Sequence, residues 1–214
     1  MLRTRTEEFV SSFTHGIGFL LSIIGGYVLL SAPQTYSNKL VMLGCYAYIA
    51  TLVLVYAIST MSHMYLFQNI NIILRKLDQG CIYLLIVGTG APFLIALCNH
   101  PLWIWFYIFI VTIAIVGFLS KTIFSHRLNN VALSLYILLG WGEAVGIIPL
   151  WEQLSLLSIF WLVVGGVLYT VGTIFLLLDL RKYYFHAIWH LFVIAGSISH
   201  FISIKTFTNF IHNT

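Results

Sequence analysis

The sequence predicts an all-α membrane protein, a bundle of seven transmembrane helices, on three observations. Of its 214 residues, 60% are apolar and only 7% charged, where water-soluble domains carry roughly 25% charged residues. The mean hydropathy is +0.99, so there is not enough polar surface to clothe a globular domain in water. The apolar residues also fall into seven runs, each near the length of about 20 residues that crosses a hydrocarbon core. A secreted enzyme, a nucleic-acid-binding domain and a disordered chain are all excluded by the same composition.

The first run, 13–32, follows Arg3 and Arg5 and so has the outline of a signal peptide. Glu7 and Glu8 in its basic lead and the succession of further spans instead predict a retained first helix. The second run is 40–64 and the third 78–98. Pro92 in the third cannot donate to the helix ladder, which predicts a kink and room for a cavity beneath Asp78. The remaining runs are 102–120, 131–150, 155–178 and 185–205, with the breaks supplied by Pro, Asn, Gln and most of the charges. The longest gap, 65–77, is too short for a soluble unit, so residues 1–214 are expected to form a single seven-helix membrane domain.

Charge placement orients this bundle. Arg3, Arg5, Arg75, Lys76, Lys121, Arg127, Arg181 and Lys182 fall on one side of the predicted membrane, and Lys39 and Lys205 on the other. Basic residues mark the cytoplasmic side, which predicts a cytoplasmic N-terminus and a C-terminus outside. Trp103, Trp105, Trp151, Tyr183 and Tyr184 gather near the predicted interfaces, as anchoring belts do. Cys45, Cys81 and Cys98 lack metal or CxxC spacing and read as small apolar residues.

An ionisable group within the membrane is costly unless it has a partner or a job. His100, His126 and His212 fall in connections or the tail and need no such explanation. His63 lies near the cytoplasmic end of the second span, Asp78 opens the third, and His186 and His190 open the seventh. The i, i+4 spacing of the last pair puts both imidazoles on one helix face, about 6 Å apart along the axis. His15 opens the first span with Glu8 two turns earlier on the same face, provided the helix reaches back that far. Headgroup-facing helix ends would explain any one of these residues. They do not explain a set biased to one face, since the outer ends carry Glu143 and Glu152 but no histidine cluster.

Three neutral imidazoles with an open position is the pattern of catalytic zinc, and His63, His186 and His190 are the best trio. Asp78 is either a fourth ligand or a base hydrogen-bonded to a metal-activated water. Ser59, one turn before His63, either turns back on its own helix or hydrogen-bonds a bound carbonyl or the water. His200, about 15 Å beyond His190 by helical rise, is expected to make an interhelical hydrogen bond, and Asp179 to pair with Lys182. Gly88, Gly90, Gly165 and Gly166 and the other small residues predict close helix approach.

These residues resemble the progestin and adipoQ receptor family, and within it the bacterial hemolysin III subgroup, over essentially the whole chain. Glu8-Phe-Val-Ser-Ser-Phe-Thr-His15 looks like E-x2-N-x3-H, with Ser11 in the Asn position. Ser59-Thr-Met-Ser-His63 followed by Asp78 looks like S-x3-H…D, and His186-Ala-Ile-Trp-His190 like H-x3-H. The resemblance implies a seven-helix fold with its N-terminus inside and a zinc ion held by His63, His186 and His190. It also implies that Asp78 lies close to the zinc-bound water, and that Glu8, Ser11 and His15 form the surroundings. Relatives such as the adiponectin receptors are regarded as lipid amide hydrolases acting on ceramide, and the subgroup implies a bacterial inner membrane. This chain departs at Ser11, at Gln79 where His is more usual, and at Gly90-Ala91 where Tyr-Thr commonly precedes Pro92.

The expected function is therefore that of a zinc-dependent integral-membrane hydrolase acting on a lipid amide or ester, with membrane lipid as substrate or ligand and no nucleic-acid partner. In this scheme Asp78 serves as base and Ser59 polarises the carbonyl. The alternative is a cytolytic or lipid-sensing protein in which zinc is structural. A proton- or ion-coupled transporter would spread its ionisable groups across the membrane, whereas these gather at one level.

Overall fold

The computed structural model describes residues 4–32, 35, 38–64, 68–98, 100–123, 129–179 and 183–213. Among these residues there is no strand, and seven α-helices follow one another: α1 Arg5–Leu30, α2 Lys39–His63, α3 Gln68–Leu94, α4 Pro101–Ile123, α5 Asn129–Gly146, α6 Leu156–Leu178 and α7 Phe185–Asn213. Two short 3₁₀ turns, Ile95–Leu97 and Ile148–Gln153, follow α3 and α5. Six of the helices are long and apolar enough to cross a membrane, α5 being the shorter one. The protein is a multi-pass membrane protein.

The helices exceed the predicted runs where polar residues are locally satisfied. α1 begins eight residues before the predicted start because Thr4 and Glu7 form a capping box, the Thr4 hydroxyl accepting from Glu7 N–H and the Glu7 carboxylate from Thr4 N–H. This ties up free donors at the helix start. α3 begins at Gln68, so the predicted gap 65–77 is mostly helix, and Asp78 does not open the helix but sits ten residues inside it. α4 runs to Ile123, placing Lys121 in its last turn, and α7 continues past Lys205 to Asn213. α5 ends at Gly146, four residues short of the predicted end, where the chain tightens into the 3₁₀ turn containing Pro149. α3 carries on through Pro92 and ends two residues later.

The core lies between α2, α3 and α7. Tyr48, Tyr56, Phe93, Leu94, Ile204 and Phe207 are essentially sealed from the surface. Between lipid-immersed helices apolar contact gives no advantage over lipid, so close packing and interhelical hydrogen bonds hold them together. Gly44 of α2 lies directly on α3: a Cβ there would come within 2.5 Å of the Pro92 backbone. Ser197 of α7 is the polar knot of the bundle, its hydroxyl lying 2.8 Å from both the Tyr56 and the Tyr169 phenols, while Tyr48 donates to its carbonyl at 3.2 Å. Ser158 and Ser203 join α6 to α7 through paired hydroxyl–carbonyl bonds of 2.7 and 2.9 Å. α1 turns Phe9, Phe13, Leu20, Ile24 and Tyr27 outward, which costs nothing against hydrocarbon. The three cysteines are free thiols.

Candidate metal centre

The site forms where the first turns of α1 and α7, the last turn of α2 and the third turn of α3 meet. α1 and α7 are pinned together at this level by Glu7, whose carboxylate accepts the Tyr184 N–H at 2.9 Å. Tyr184 pays for this position with a left-handed backbone, φ +61°, a conformation a bulky residue seldom adopts. The clamp fixes the entry of α7 just before His186.

His63, His186 and His190 converge, the first and last buried and the second half-buried. One ligand atom from each lies within 4.8 Å of the others, an arrangement that could hold a metal ion. Ring centroids are 4.4 Å apart for His186 and His190, 4.9 Å for His63 and His186 and 5.0 Å for His63 and His190. Each ring has its Nδ1 beside an acceptor from a different part of the chain. His63 Nδ1 lies 2.8 Å from Glu8 Oε2, His186 Nδ1 3.3 Å from Asp179 Oδ2, and His190 Nδ1 3.2 Å from the Ser11 carbonyl oxygen. An Nδ1–H donated to these acceptors fixes the tautomer and leaves Nε2 of every ring as the free lone pair.

The Nε2 atoms of His63 and His186 are 3.2 Å apart. With both Nδ1 atoms committed to carboxylates, that is a contact between two lone pairs unless a proton or cation lies between them. Two nitrogens bound tetrahedrally to zinc at 2.0–2.1 Å stand about 3.3 Å apart. The imidazole donor set and the His63–His186 spacing fit a metal ion such as zinc.

Around the trio the residues expected from the sequence are present with changed partners. Asp78 Oδ2 lies 3.9 Å from His63 Nε2 and accepts a 3.1 Å hydrogen bond from the Ser62 hydroxyl. Glu8 is buried and held from its other oxygen by Arg75 at 2.9 Å, so α1, α2 and α3 meet through one carboxylate. The Ser59 hydroxyl is buried without a hydrogen-bond partner; of its two predicted alternatives, the turn back onto its own helix is not what forms. His15 stacks on His190 with centroids 3.6 Å apart, and neither of its ring nitrogens has a partner. Ser11 meets His190 through its carbonyl, while its hydroxyl has no partner.

Asp179, expected to pair with Lys182, stands behind His186; Lys182 lies outside the described residues. The seven-residue separation of Asp179 and His186 crosses the break between α6 and α7, where no periodicity predicts facing, so only Asp179's place at a helix end near the cluster could have signalled it. His200, expected to hydrogen-bond between helices, has neither ring nitrogen partnered. Ser62 and Glu7 were not anticipated at all. Arg3, Arg127, Arg181 and His126 lie outside the described residues, as does the side chain of His212.

A cavity of about 630 Å³ begins at this cluster, where His63, Asp78 and His190 line it, and continues between the helices to Glu143 and His200. Most of its wall is apolar. A reactive group can therefore stand beside Asp78 and Ser59 while an apolar chain fills the remainder.

The family model described as haemolysin-III related matches residues 3–201. The chain is 35% identical to hemolysin-3 of Bacillus cereus, covering 92% of this chain and 90% of the relative. It is 32% identical to the hemolysin-3 homolog of Bacillus subtilis (strain 168), covering 94% of both. Monocyte to macrophage differentiation factor of Homo sapiens is 24% identical, over 92% of this chain and 83% of that protein. No solved structure matches.

Proposed function

The chain belongs to the haemolysin-III-related family, and we propose that it is a zinc-dependent membrane hydrolase, cleaving an amide or ester bond of a membrane lipid in the manner of a ceramidase. The observation that carries this reading is the commitment of all three Nδ1 atoms to acceptors, with the Nε2 atoms of His63 and His186 3.2 Å apart. His63, His186 and His190 hold the zinc, backed by Glu8, Asp179 and the Ser11 carbonyl. When bound, zinc polarises a carbonyl and lowers the pKa of water toward about 7.

The chain's own groups do the rest. Asp78, 3.9 Å from His63 Nε2, accepts the proton of the attacking water, and the Ser62 hydroxyl holds the carboxylate facing the site. Ser59 donates its unpartnered hydroxyl hydrogen to the scissile carbonyl oxygen as charge develops there. Once the bond breaks, the proton on Asp78 passes to the leaving nitrogen or oxygen. The apolar cavity wall accommodates the lipid chain and limits water to the polar end. His15 is a positioning residue, its ring stacked on His190.

The same reading takes α5 as the seventh span of a single seven-helix domain: its 18 residues rise about 27 Å, close to the hydrocarbon thickness of about 30 Å. It takes the side richer in basic residues as cytoplasmic, with the site at that face and the C-terminus outside, and takes a bacterial inner membrane from the family resemblance.

The test is hydrolysis of ceramide-like amides and phospholipid esters by the purified zinc-loaded protein. Asp78→Asn is expected to keep its zinc and lose about 10²- to 10⁴-fold in rate. Unchanged hydrolysis in that variant would remove Asp78 from the mechanism. Bound zinc with no hydrolysis of any lipid in the panel would favour a second reading, suggested by the trio's linkage of α2 to α7 and by the relatives' hemolysin names. In that reading zinc is a structural staple in a cytolytic or lipid-sensing protein.

A further inference from the structure

Among the ionisable residues that line the cavity, the hydrolytic scheme gives no task to Glu143 or His200. Glu143 of α5 is 4% exposed and its Oε1 has no hydrogen-bond partner; His200 of α7 is 9% exposed and neither ring nitrogen has one. Both line the cavity that begins at the histidine cluster. Unpartnered polar atoms in a lipid-immersed bundle each carry a desolvation cost, so finding two such residues on one cavity calls for a ligand.

Both are built in. The Glu143 carboxyl lies so close over Gly90 of α3 that a Cβ there would collide with Oε2, and the His200 ring lies over Gly165 of α6 in the same way. Two helices thus give up a side chain to seat two polar groups.

Their depth follows from helical rise. His200 is ten residues beyond His190 on α7, and Gly90 twelve beyond Asp78 on α3, about 15 and 18 Å. Asp78 and His190 both flank His63, so the two ionisable groups lie at nearly the same level, buried within the bundle. A charged head group at this level would suffer the penalty of any ion in hydrocarbon. A hydroxyl is uncharged and both donates and accepts, which suits a carboxyl oxygen and an imidazole together.

We propose that Glu143 and His200 form a second polar subsite, which takes a hydroxyl group carried partway along the chain of the lipid bound in this cavity. The inference rests on the reading that the cavity holds lipid, and it narrows the substrate class to hydroxylated acyl chains. The subsite acts as a ruler: the polar end of the lipid meets the histidine cluster and the hydroxyl is read about 15 Å further along.

The experiment measures binding of a saturated long-chain fatty acid and its set of single-hydroxyl positional isomers to the purified full-length protein in detergent, by displacement of a fluorescent fatty acid. One narrow range of hydroxyl positions is expected to bind about tenfold tighter than the parent acid. The preference should vanish in Glu143→Leu and in His200→Leu and persist in Glu143→Gln, with zinc content unchanged in all three. Equal binding of the parent and every isomer to the wild-type protein would overturn the subsite while leaving the cavity a lipid site, and that comparison needs no variant to fold. A preference that survives Glu143→Leu would also overturn it. Failure of any fatty acid to bind would remove the lipid reading of the cavity and this proposal with it.

Discussion

Two clusters of the same residue types sit about 15 Å apart along α7 and treat their polar atoms in opposite ways. Around His63, His186 and His190 every Nδ1 has an acceptor, and the carboxylates of Glu8 and Asp78 are themselves held, by Arg75 and Ser62. At Glu143 and His200 the groups are seated by glycines of the facing helices, and Glu143 Oε1 and both His200 ring nitrogens are left without a partner. A site with its outer partners in place is organised for a small ion whose ligand geometry must be exact. A site with open donors and acceptors is organised for a ligand that brings its own hydrogen bonds.

The sharpest way to break this comparison is to remove the backing carboxylates. Glu8→Gln and Asp179→Asn are each expected to weaken zinc binding 10- to 100-fold, measured by competition with a chromophoric chelator, whereas Glu143→Gln should leave it unchanged. An equal loss in Glu143→Gln would mean the two clusters are one network. Packing provides the next contrast. Gly44→Ala forces a Cβ against the Pro92 backbone and should lower stability by about 1–3 kcal/mol, read from the thermal midpoint in detergent. Gly140, with open space where a Cβ would go, should accept Ala with a gain of at most about 1 kcal/mol. A smaller effect is expected at Ser197, where Ala removes the hydroxyl shared by Tyr56 and Tyr169. The loss should be about 0.6 kcal/mol, near the mean for interhelical hydrogen bonds in membranes, with zinc affinity untouched.

The contrast also marks what the sequence makes legible. The helices were readable because each apolar run is a physical requirement of the bilayer, and the histidine trio because i, i+4 spacing and span ends fix depth without any tertiary information. Helix starts were less readable: Glu7 and Glu8 look like the end of a span, yet a capping box and buried ion pairs carry α1 back to Arg5. Likewise Arg75 and Lys76 look like a connection and Asp78 like a helix start, but all three lie within α3. Partners across helices were not readable. Nothing in spacing says that Asp179 faces His186, that Ser62 holds Asp78, or that Gly90 makes room for Glu143. These depend on how helices rotate against one another, which close packing decides.

The central claim is that His63, His186 and His190 form a zinc site, and elemental analysis of the purified protein tests it most directly. The wild-type chain is expected to hold about one zinc, and His186→Ala/His190→Ala none, with the helical content of both confirmed by circular dichroism. A wild-type protein that takes up no metal even when zinc is supplied, or a folded double variant that keeps its zinc, would contradict the account.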